Sequence, residues 1–141
     1  MSAVATKTFI LLLAQEEPLN FIQGTKISLQ DVLSLGNRKE FHHIFPKAYL
    51  KSLEKYQDSQ INCLANFSLL SRTDNNQIRN FPPSEYCSKM PADENTFQDI
   101  LARHFCPPLE FKEANYENFL ELRSELLFQK AKDLCEISST H

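Results

Sequence analysis

Two adjacent imidazoles, His42 and His43, stand in the stretch KEFHHIFPKAYLKSLEKY, which begins at Lys39 in a chain with only four histidines. Three amides follow along the same segment, Asn66, Asn75 and Asn76. A histidine titrates near neutral pH and can take a proton from water. An imidazole and an amide oxygen can hold a divalent ion while leaving most of its positions for water and phosphate. Such an ion polarises phosphoryl oxygens. These are the minimal parts for hydrolysing a phosphodiester.

Short elements must position them. EFHHIF has the aromatic, Ile-rich character of a strand, broken by Pro46. KAYLKSLEKY then switches to helical period, with Tyr49, Leu50, Leu53 and Tyr56 as one buried stripe. Lys47, Lys51 and Lys55 recur every four residues on a different face. NFSLLSR, from Asn66 to Arg72, reads as a second strand, and TDNNQIRN as a brief helix capped by Thr73 or Asp74. Successive side chains on a strand face opposite ways, so His42 and His43 share one site only if the strand ends or kinks there.

Helices flank this centre. Ala3 to Ala14 is read as a buried helix that Pro18 prevents from continuing, and a short helix is expected from about Ser28 to Gly36. After a helix start at PPSEYCSKM, the stretches ADENTFQDILARHF and YENFLELRSELLFQKAKDLCEI read as two amphipathic helices. In the second, Tyr116, Phe119, Leu120, Leu126, Leu127, Ala131 and Leu134 keep near-helical spacing. His104 is assigned a structural role at a helix end, and the four cysteines are assigned to packing.

The bulk numbers set bounds. A chain of 141 residues with 42% hydrophobic content suits one folded domain. Its longest apolar run, Phe9 to Ala14, is too short to span a bilayer. The cysteines form no CxxC pair, which argues for reduced thiols in the cytoplasm over a zinc knuckle. Net charge is −3, yet residues 38–79 carry seven Lys or Arg against four acids. A locally basic stretch in an acidic body can face a polyanion.

HHIFP, ANFSLLSRTDNNQI and PPSEY, in that order, resemble the HNH (His-Me finger, ββα-metal) nucleases. The nearest similarity is to the C-terminal nuclease domain of GmrSD-type restriction proteins. The HNH domain of RNA-guided CRISPR nucleases has the same order, with D-H-I-x-P in the first motif. The resemblance covers about residues 38–90, with looser likeness in the flanking segments 1–37 and 91–141. It implies an α+β, mostly helical single domain over residues 1–141: a small ββα-metal core wrapped by N- and C-terminal helices.

By position, the resemblance makes His43 the general base and Asn66 the residue that pins the loop carrying it. It makes His42 a metal ligand where many relatives have aspartate. Asn75, nine residues after Asn66 and eight before Pro83, is the second ligand, with Asn76 the competing neighbour. Lys47, Lys51, Lys55 and Arg72 become candidate DNA phosphate contacts. Mg2+ or Mn2+ is the implied ion, with Zn2+ or Ni2+ open to an imidazole ligand. The implied setting is restriction of foreign DNA and phage defence, downstream of a ParB-like nucleotide-hydrolysing domain. The chain is then a piece of such a protein or a stand-alone nuclease. The alternative is a catalytically inactive nucleic-acid-binding or interaction module on the same scaffold.

Overall fold

A computed structural model of the chain describes residues 3–28, 30 and 41–139. Helix α1, Ala3–Ala14, buries Thr6, Phe9, Leu13 and Ala14 at helical spacing. Val4 and Leu11 remain 74% and 53% exposed, so the helix has one buried face and is not buried all round. The chain then turns at Gly24, whose φ of 66° suits a residue without Cβ. A bridge between Leu19 and Lys26 closes that turn. The helix expected over residues 28–36 lies, apart from Ser28 and Gln30, outside the described residues, as do Arg38, Lys39 and His141.

Strands β1, Phe41–His43, and β2, Phe67–Leu69, pair antiparallel, with Phe41 opposite Leu69, His42 opposite Ser68 and His43 opposite Phe67. Both are shorter than the apolar stretches in which they lie. The connection holds two short helices, α2 (Lys47–Ser52) and α3 (Asp58–Ile61). Helical spacing suggests continuation to Tyr56, but Glu54 takes a φ of 57° just beyond α2 and the path changes. Leu53 consequently leaves the expected stripe and is 42% exposed, while Leu50 is buried.

Helix α4, Arg72–Ile78, follows β2 directly. Its cap is Ser71, whose Oγ accepts from the Asp74 amide, and not Thr73 or Asp74. Asp74 is instead fully buried, and one carboxylate oxygen accepts from the Ile22 amide. Burial raises its pKa against those bonds. The chain continues through α5 (Pro83–Tyr86), α6 (Glu94–Arg103), α7 (Pro108–Glu113) and α8 (Tyr116–Ser139). Mostly helical, with one two-stranded antiparallel sheet, the chain is a small α+β fold. No helix among the described residues is long and apolar enough to cross a membrane.

The main core gathers Phe21, Ile44, Phe45, Leu50, Ile61, Tyr86, Phe111 and Phe119. A second cluster joins Phe9 and Leu13 of α1 to Leu69 of β2 and Leu127 of α8. Each such side chain contributes about 2 kcal/mol by leaving water. Arg123, between Phe119 and Leu127 on the inner face of α8, is fully buried, whereas Leu126 of the expected stripe is 46% exposed. Its Nε donates to the His104 carbonyl, and its Nη1 donates to the carbonyls of Ala65 and Phe67. Of the cysteines, Cys106 packs in the core and Cys135 is exposed; all four are free thiols.

His104 ends α6 as a buried bridge. It donates from Nε2 to the Leu19 carbonyl at 2.6 Å and accepts at Nδ1 from Ser68 Oγ at 2.6 Å. Burial pushes its pKa down from 6.5 to about 3. The unfolded chain therefore binds a proton below pH 6.5 that the folded chain refuses until about pH 3. This residue should cost the fold roughly 1 kcal/mol for each pH unit of acidification within that window. Urea titrations from pH 7 to 4 should show a shallower acid loss for His104→Gln than for the parent, despite lower stability at pH 7. Parallel curves would contradict this assignment.

Candidate active site

The geometry begins at the end of β1. His43 is its last residue, and the chain bends at Ile44 and Phe45 before Pro46 opens α2. Four hydrogen bonds fix that bend. The Asn66 amide side chain accepts from the Phe45 backbone N–H at 2.9 Å and donates to the Phe45 carbonyl at 3.1 Å. The Asn66 carbonyl accepts from Ile44 at 2.7 Å. Tyr86, fully buried, donates its hydroxyl to the Ile44 carbonyl at 2.8 Å. Asn66 also donates to the Ile61 carbonyl, so its buried side chain ties three backbone groups together.

Beyond this bend lies an open cleft of about 440 Å³. Its lining brings together His42, His43, Pro46, Lys47, Lys51, Asn75 and, at the end of α4, Arg79 and Asn80. The register places His42 and His43 on opposite sheet faces, the second beside Phe67 at 4.2 Å between ring centres. Both nevertheless line one cleft, at the point where β1 ends. Asn75 lines it, whereas Asn76 is exposed and does not.

Two expected phosphate contacts lie elsewhere. Lys55 is not in the lining; its ammonium lies 3.6 Å from Glu117 and over the Tyr56 ring. Arg72 occupies the first turn of α4, away from the lining. The structure adds three residues that the motif reading missed: Arg79, Asn80 and Asn62. Asn62 closes α3, and its Oδ1 accepts from His43 Nε2 at 2.9 Å. That bond holds the ring proton on Nε2 and leaves the Nδ1 lone pair to act as a base. No spacing rule singles out Asn62, because the contact crosses 19 residues.

The electrostatics are one-sided. Lys47, Lys51 and Arg79 line the cleft, and among the described residues no Asp or Glu does. Burial lowers the pKa of His43, the Asn62 bond partly opposes this, and the Lys47 charge lowers it further. The ring is thus neutral at neutral pH, the form that accepts a proton. Among the described residues no three His, Cys, Asp or Glu side chains converge to cage a metal. The donors named by the motif reading, the His42 imidazole and the Asn75 amide oxygen, form a pair in this lining, beside a second amide oxygen on Asn80. This pair fits an ion that keeps most of its shell for water and phosphate. It does not fit a closed structural centre.

Comparison of the chain with protein-family models, curated proteins and solved structures gives no match.

The buried amide of Asn66 yields a direct test. Removing it in Asn66→Ala leaves polar groups of Phe45 and Ile61 unpaired, which should cost about 2 to 4 kcal/mol by urea unfolding. Asn66→Asp, though nearly isosteric, should cost at least as much at pH 7, because a carboxylate cannot donate to the Phe45 and Ile61 carbonyls. Parent-like stability in either variant would show that the bend stands without this clamp.

Proposed function

We propose that this protein is a metal-dependent HNH endonuclease that hydrolyses DNA phosphodiester bonds. One observation carries the reading: two histidines, Asn75 and three cations share a cleft to which no described residue adds a carboxylate, in a chain of net charge −3. A cleft so composed favours an anion. The HHIFP, ANFSLLSRTDNNQI and PPSEY order supports the same assignment through its resemblance to HNH nucleases.

In this reading the scissile phosphate enters between α2 and the end of α4. Lys47 and Lys51 neutralise its charge. His43, oriented by Asn62, accepts at Nδ1 the proton of the water that attacks phosphorus in line. Asn66 acts by positioning, through the bend it holds. His42 and Asn75 would hold Mg2+ or Mn2+, with Zn2+ or Ni2+ as further candidates for an imidazole ligand. When bound, the ion supplies Lewis-acid stabilisation to the phosphate oxygens and the departing 3′ oxygen. With no carboxylate from the described residues in the lining, binding of the ion would depend on the phosphate as much as on the protein.

The wider setting belongs to the same proposal: restriction of foreign DNA in the cytoplasm, with a ParB-like nucleotide-hydrolysing domain in the full-length protein. Four free thiols suit that reducing compartment.

His43→Ala should lower DNA cleavage by about 100-fold or more, the usual contribution of a positioned base. DNA affinity, read by fluorescence anisotropy, should stay within a few fold because the cleft cations remain. An unchanged cutting rate would remove His43 from the mechanism. Parent-like DNA binding without cutting in the unaltered protein would favour the interaction-module alternative.

A further inference from the structure

The end of α4 contains an arginine in a backbone conformation that glycine would adopt with less strain. Arg79 has φ 54° and ψ −126°. The Phe81 amide donates to the Ile78 carbonyl at 3.2 Å, closing a four-residue turn with Arg79 in its second position. These angles match the first central position of a type II′ turn, where glycine is the usual residue. A side chain there carries a conformational cost that glycine avoids. Ala114, another left-handed residue that closes a helix, has the milder ψ of 38°.

The strained position places Arg79 in the lining of the histidine cleft, just past the end of the helix that carries Asn75 and beside Asn80. Arg79 makes no ion pair among the described residues. Lys51, in the same cleft, lies 3.9 Å from Asp58, so part of its charge is already offset. A guanidinium also offers what an ammonium does not: a planar fork that grips two phosphate oxygens at once. Resting on the nuclease reading above, we infer that Arg79 is a catalytic residue that clasps the scissile phosphate and its developing charge, and that the turn is strained to place it there.

Arg79→Gly tests this inference because it removes the side chain and relaxes the turn together. Its melting temperature should rise by about 2 to 4 °C, while kcat for DNA cleavage falls by about 100-fold. Arg79→Lys keeps the charge but loses the fork; it should retain the parent melting temperature and lose about tenfold in kcat. Parent-like cutting by either variant would overturn the inference and leave the nuclease reading intact. So would a fall in melting temperature in Arg79→Gly, since the strain argument would then be wrong. Failure of the unaltered protein to cut or bind DNA would overturn both.

Discussion

A single buried amide ties the end of β1 to the start of β2. Asn66 stands at the start of β2, yet its side chain brackets the backbone of Phe45 just past the end of β1. Antiparallel pairing spans only three residues on each strand. A ladder that short is marginal by itself. The Asn66 clamp, the Ile44-to-Asn66 bond and the Tyr86 hydroxyl extend it past the strand end, where the path bends. His43 is held at that end both by the contacts of its neighbours and by its own bond to Asn62.

Arg123 supports this arrangement from behind. Its guanidinium takes the carbonyls on either side of Asn66, those of Ala65 and Phe67, and the carbonyl of His104. The charge meets carbonyl dipoles and the face of Phe9 in place of a carboxylate. Burial lowers its pKa accordingly. His104 in turn joins Ser68 to Leu19, so α6, α8, the first turn and β2 meet around one polar network inside an apolar core. Such a network specifies a single arrangement because each member is costly to leave unsatisfied.

Much of the outline was legible in the sequence. The limits of α1 at Ala3 and Ala14, the break at Pro46, the helix start within PPSEYCSKM and the long final helix all follow local rules of period and punctuation. The choice of Asn75 over Asn76 comes from the spacing that the resemblance to HNH nucleases implies, and Asn75 is the one that lines the cleft with the histidines. Local rules failed where a distant partner decided the outcome. Asp74 looks like a cap from its neighbours, but the first turn recruits it across 52 residues. Leu53 fits the helical stripe, but α2 ends before reaching it. Arg123 could have been found, because it falls four residues from both Phe119 and Leu127 on the apolar face; its charge disguised it. Arg79 gave no signal, as a strained turn is invisible without coordinates. The overall negative charge misdirects similarly, since none of the described acids lines the cleft.

The most direct test is incubation of the purified protein with supercoiled plasmid in Mg2+, in Mn2+ and in excess EDTA. The account predicts conversion to nicked or linear DNA with at least one of the two ions and none with EDTA. Plasmid that stays supercoiled with both ions, or that is cut equally in EDTA, would contradict it.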